Sequence, residues 1–218
     1  MKKPTVAAIY TGSALVQPGE HMFREVLPDV RSISMLDNSL IAEVIEHERM
    51  TEGVLRRLFR LCEFALEEGA DVILETCSSV GNSVDYLQPF FPIPILRIDR
   101  PMVEDVVKEK AHIGVLATLP TTLGPTTDLI QQVAQEKHCT VTVVSGLAEG
   151  AFSAVSEGDA ETHDKLILET AMNIAKQCDC LVLAQGSMAR MEQVLSDETG
   201  LPVYTSLRRG IEALKAYL

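Results

Sequence analysis

The chain has 218 residues, room for one large domain or for two small ones sharing a cleft. Hydrophobic residues make up 46 % of it, aromatic residues only 5 %, and Trp is absent, so its core rests on Val, Ile, Leu and Ala, as suits parallel sheets covered by helices. A net charge of −12 repels a phosphate backbone and argues against a nucleic-acid partner, and no apolar run reaches the ~18 residues that span a bilayer.

The N-terminus reads MKKPTVAAIYTGS. Two lysines before an apolar stretch suggest an export leader, but the stretch is only about six residues, below the ~7–15 of a leader core. It reads instead as a first strand, TVAAIY (5–10). Further buried strands are expected at 30–35, 71–76, 93–96, 112–117, 140–145, 180–184 and 202–204. Helical periodicity fills most of the gaps, most clearly at 50–68, where Val54, Leu55, Leu58, Leu61, Cys62 and Ala65 share a face, and at 161–176. Alternation of this kind predicts parallel sheets built from right-handed crossovers. The five cysteines form no CxxC pair and no zinc pattern. They are expected as free thiols in a cytoplasmic protein. No histidine pair suggests a metal, and TGSALVQPGE lacks the GxGxxG spacing of a dinucleotide site.

The order of elements repeats. VAAIYT (6–11) corresponds to IGVLAT (113–118), 107 residues on, and DVILETCSS (71–79) to DCLVLAQGS (179–187), 108 residues on. PIL (94–96) corresponds to PVY (202–204) at the same spacing. The chain therefore reads as two copies of one α/β unit. The expected boundaries are 1–97 plus 206–218 for the first lobe and 98–205 for the second. Two such pseudo-symmetric lobes, each a parallel sheet flanked by helices, are expected to hold a ligand cleft between them, lined by the loops at the carboxyl ends of the strands. Those loops are Thr11-Gly12-Ser13, Cys77-Ser78-Ser79, Thr118-Leu119-Pro120-Thr121-Thr122 and Gln185-Gly186-Ser187. Hydroxyls and helix N-terminal N–H groups suit an anion such as a carboxylate, although Ser and Thr also serve simply as helix caps.

At these loops the sequence resembles the aspartate/glutamate racemase superfamily (Asp/Glu/hydantoin racemase-like). The family's first-lobe motif, a strand then Cys-Asn-Thr, is met by DVILETCSS with Cys77, Ser78 and Ser79. Its Ala-Thr-x-x-Thr stretch is met by Ala117, Thr118 and Thr121. Its second-lobe motif, a strand then Gly-Cys-Thr, is met by LVLAQGSM, which puts Gln185 at the second cysteine position. The resemblance implies a cofactor-independent isomerase of the racemase or epimerase type, acting on a small carboxylate or amino acid, in a homodimer or larger assembly. It implies Cys77 and Gln185 as catalytic positions. Thr11, Ser13, Ser78, Ser79, Thr118, Thr121, Gly186 and Ser187 would hold the substrate.

A racemase must meet a planar carbanion from both faces, which family members do with two cysteines. An amide such as Gln185 has no proton to exchange near pH 7, so the two-thiol mechanism is not available to this chain. One-base lyase chemistry of the decarboxylase type and a non-catalytic carboxylate binder stand as the alternatives. Among the remaining residues, Glu75 is unusual inside an apolar strand two residues before Cys77. It is expected to meet a basic partner, to face the cleft, or to lie at a solvated strand end. Arg190 is expected at the surface, or paired with a second carboxylate of the substrate.

Overall fold

The computed structural model describes residues 3–218. These fold as two compact units, one running to Pro101 and taking back Leu207–Leu218, the other comprising Met102–Ser206. The first unit contains β1 (Thr5–Tyr10), α1 (Val16–Val26), β2 (Arg31–Leu36), α2 (Ser39–His47), α3 (Glu52–Glu67), β3 (Val72–Glu75), α4 (Ser83–Leu87) and β4 (Ile95–Arg97). Helix α5 (Arg100–Glu109) leads into β5 (His112–Ala117), α6 (Pro120–Glu136), β6 (Thr142–Leu147), α7 (Ala151–Ser156), α8 (Ala160–Ile174), β7 (Cys180–Leu183), α9 (Glu192–Thr199) and β8 (Val203–Tyr204). Helix α10 (Ser206–Ala213) returns the chain to the first unit.

Each unit is built on a parallel four-stranded sheet, in the order β2-β1-β3-β4 and β6-β5-β7-β8. The two orders are the same once the repeat is taken into account. Successive side chains alternate between the faces of a strand, so β1 sends Ala7 and Ile9 to one core and Val6, Ala8 and Tyr10 to the other. The second sheet likewise has a core on each face, Val115 in one and Leu116 in the other. The central strands read as apolar runs because both of their faces are covered. Strands β2 and β6, expected to be buried, are edge strands with exposed residues along them. Apolar content alone does not separate an edge strand from a central one; that depends on which neighbours the chain supplies.

The helix expected at 50–68 forms as α3. Thr51 caps it by accepting the Val54 N–H at 3.1 Å, an interaction of about 1 kcal/mol. Its buried residues Val54, Leu58, Cys62 and Ala65 face the core containing Ile73 and Ile95. Full burial of a side chain such as Leu58 contributes roughly 1.5–3 kcal/mol. Among the described residues no helix is long and apolar enough to cross a membrane.

Candidate active site

Strand β3 ends at Glu75, and Cys77 begins the 3-10 turn Ser78–Val80. The thiol is half-buried in a loop whose Thr76, Ser78 and Ser79 are buried. Thr11, at the end of β1, bonds the thiol through its hydroxyl, and the backbone N–H groups of Ser79 and Val80 point to it as well. Thr76 turns its hydroxyl the other way, onto the Ile9 carbonyl at 2.8 Å, and so ties the loop to the neighbouring strand. Burial, and then the charge of Glu75, push the Cys77 thiol up to about 11, against the pull of Thr11 and the two amides. Cys77 is therefore a thiol near neutrality, a proton donor at rest.

Glu75 is buried, which removes the solvated strand end from its expected roles. Its Oε1 accepts the Cys77 N–H at 2.9 Å. Its strand partner is Arg97 on β4, and Arg97 makes a bidentate pair with buried Asp99, Nε to Oδ1 and Nη2 to Oδ2, both at 3.0 Å. Burial pushes the Glu75 carboxyl up to about 8; the Cys77 amide and Arg97 oppose the rise and Asp99 adds to it. Sequence reasoning singled out Glu75 but missed Arg97 and Asp99. Their available signal was an Arg-x-Asp spacing at the end of an apolar strand, which gains meaning only when the register sets Arg97 beside Glu75.

The second unit repeats the backbone but not the chemistry. Gln185 follows β7 as Cys77 follows β3, with φ −120° and ψ 132° against −113° and 112°. Thr118 meets it from the end of β5, as Thr11 meets Cys77. The Gln185 Oε1 accepts the Thr118 N–H at 2.7 Å and its hydroxyl at 3.1 Å, while Nε2 reaches the Thr118 Oγ1 at 2.8 Å. The backbone N–H can only donate, so the amide oxygen is the atom facing it. Gln185 thus spends its acceptor, and one of its two N–H groups, on Thr118.

Of the remaining expected residues, Thr121 is buried and Gly186 half-buried, whereas Ser13 and Ser187 are exposed at the starts of their turns. The N-cap residues of the four loops, Gly12, Cys77, Leu119 and Gln185, make no side-chain capping bond, unlike Thr51 and Asp159 elsewhere. The capping role considered for the loop hydroxyls is thus not what these N-cap positions use. Only α6 continues its loop directly as a long helix; the other three begin with 3-10 turns. At its first turn the Thr121 Oγ1 is buried with no hydrogen-bond partner, and Pro125 offers no N–H to the Thr121 carbonyl. Arg190 forms a two-pronged ion pair with Asp164 at 2.5 and 2.6 Å and is held by its own unit. The five cysteines are free thiols, and among the described residues no acidic, His and Cys cluster has metal-ligand geometry.

The Asp/Glu/hydantoin racemase family model matches residues 9–214, nearly the whole chain. The chain belongs to this family. No curated protein sequence matches it. Among solved structures, a glutamate racemase isoform from Bacillus anthracis is 16 % identical with a TM-score of 0.78, covering 99 % of this chain and 82 % of its own. The glutamate racemase of Francisella tularensis, in complex with D-glutamate, is 14 % identical with a TM-score of 0.77, covering 99 % and 81 %. Aspartate racemase from Picrophilus torridus is 14 % identical with a TM-score of 0.73, covering 99 % and 94 %. At these identities the racemase-family likeness is one of fold: paired parallel four-stranded sheets flanked by helices.

Proposed function

We propose that this family member is a cofactor-independent isomerase of the racemase or epimerase type, moving a proton at the carbon beside the carboxylate of a small carboxylic or amino acid. Cys77, ionised to its thiolate, takes that proton on one face; solvent water returns a proton to the opposite face of the carbanion, and the hydroxide so formed removes the S–H proton and restores the thiolate. Thr11 and the Ser78-Ser79 turn orient the thiol, and Thr118, Thr121, Gly186 and Ser187 offer donors to the carboxylate, with Ser13 beside the first loop. Gln185 contributes a hydrogen bond rather than a proton. The observation that carries the reading is the half-buried Cys77 thiol at the end of a central strand, held by the Thr11 hydroxyl and two backbone amides. The unpartnered Thr121 hydroxyl supports a polar ligand group at the start of α6. A carbanion beside a carboxylate spreads its charge onto the carboxylate oxygens, so donors aimed there stabilise it more than they stabilise the substrate.

Alpha-proton exchange into deuterated water, measured over a panel of small carboxylic and amino acids, tests this reading. Exchange that disappears in Cys77→Ala while ligand binding persists is the expected result. Binding without exchange, isomerisation or decarboxylation would instead identify a carboxylate-binding protein that has lost its chemistry.

The raised thiol favours a second reading, a lyase of the same superfamily in which Cys77 only donates. The substrate would then lose carbon dioxide, the resulting carbanion would take the S–H proton, and the thiolate would recover a proton from water. Release of labelled carbon dioxide from a malonate-type acid, with a single solvent hydrogen in the product, separates it from the first.

A further inference from the structure

The second unit shows that this fold does not need a carboxylate near the end of its third strand. Leu183, buried in an apolar core, occupies on β7 the place that Glu75 occupies on β3. Thr205 stands where the first unit has Arg97, and Leu207 follows two residues later, where the first unit has Asp99. A buried acidic and basic cluster costs desolvation and is weak evidence of stabilisation, so its presence in only one of two equivalent frames calls for another cause. The cluster is found in the unit that carries the thiol.

We propose, building on the reading of Cys77 above, that Glu75, backed by Arg97 and Asp99, is a positioning residue for Cys77: it holds the Cys77 amide, aims the thiol and sets how readily that thiol ionises. The geometry is a set of strand alternations. Ile73, Glu75 and Cys77 fall on one face of the sheet, as do Ile95, Arg97 and Asp99 beside them. Cys62 on α3 is the titratable group that faces Glu75 from the helix layer, and β1 brings Ile9 alongside it. Arg97 and Asp99 complete the charged surroundings of Glu75, and Cys77 lies on its own loop. Arg97 is itself locked: a Cβ at Gly81 would come within 2.7 Å of its guanidinium, so the turn after Cys77 packs directly on the cluster. Ionised Glu75 makes a second negative charge nearby unfavourable and keeps Cys77 protonated; protonated Glu75 lifts that restraint.

The test reads the thiol directly, so its outcome does not depend on any turnover. Full-length protein is alkylated with iodoacetamide across a pH series, and the Cys77 peptide is quantified by mass spectrometry. Glu75→Gln keeps an oxygen acceptor for the Cys77 amide and removes the charge. At about pH 9 it is expected to raise the Cys77 alkylation rate by at least ~3-fold, because the thiolate reacts and its fraction grows as the pKa falls. A profile that coincides with wild type overturns the proposal, because a merely structural Glu75 predicts no change. Wild type provides a second reading that needs no variant. Its Cys77 rate is expected to climb less steeply than about tenfold per pH unit while Glu75 ionises, and a slope of about tenfold throughout that range overturns the coupling. If Glu75→Gln shifts the profile but no acid in the panel undergoes exchange, the positioning role stands and the isomerase reading fails.

Discussion

The ends of β3 and β7 have nearly the same backbone and opposite chemistry. In the first unit a threonine from the neighbouring strand meets a thiol above a buried charged cluster; in the second a threonine meets an amide above leucine. Gln185 closes a neutral hydrogen-bonded pair with Thr118 that satisfies a backbone donor and has no ionisation to tune. Cys77 sits where burial, Glu75 and two amides compete over one proton. The difference teaches that the repeat preserves the backbone frame while the residues at its strand ends diverge, an ionisable thiol in one unit and a neutral amide in the other.

The sharpest way to break this comparison is Cys77→Ala. It is expected to lower alpha-proton exchange by ~10²–10⁴-fold, the range of a general acid or base, while Gln185→Ala leaves measurable exchange and mainly raises KM. Equal losses of kcat in the two variants would show that the loops share the chemistry.

The next largest effect is expected from Gly81→Ala. The methyl would press on the buried Arg97 guanidinium, which is fixed by Asp99, and overpacking of this kind costs roughly 1–3 kcal/mol in denaturant unfolding. The equivalent position in the second unit is Ala189, which carries a side chain without difficulty. An unaffected Gly81→Ala would mean that the cluster is looser than its hydrogen bonds indicate.

Gln185→Ala is expected to cost about 1–2 kcal/mol of stability, because the Thr118 N–H loses its acceptor at a half-buried site. Gln185→Glu, which keeps an acceptor oxygen there, is expected to recover part of that loss.

The comparison also carries a pH dependence. In the folded chain the Glu75 carboxyl is raised from 4.5 to about 8. Between those values the folded state holds a proton that the unfolded chain has released, so rising pH disfavours folding. The stabilisation is complete below about 4.5 and is lost as pH passes through about 8. Wild type is therefore expected to lose melting temperature relative to Glu75→Gln as pH rises through this window, by ~2–4 °C for each kcal/mol lost. A difference that stays constant with pH would place the Glu75 carboxyl in the ordinary range.

The sequence by itself determined the α/β class, the parallel strands, the twofold repeat and the position of Cys77 at a strand end. Each of these is written in local patterns: apolar runs of strand length, helical periodicity on α3, and a nearly constant spacing between corresponding loops. The assignment of Gln185 to the second loop was legible for the same reason. Three things depended on tertiary structure. β2 and β6 lie at sheet edges because sheet order follows from how crossovers pack, and their apolar residues look the same either way. Gln185 points its oxygen at Thr118 because β5 and β7 are neighbours, a contact between residues 67 positions apart. Glu75 gained Arg97 and Asp99 through the β3–β4 register, which sets a glutamate and an arginine side by side and buries both. Burial and register determine whether a charged residue is solvated, paired or poised on a thiol, and neither can be read from the residue and its immediate neighbours.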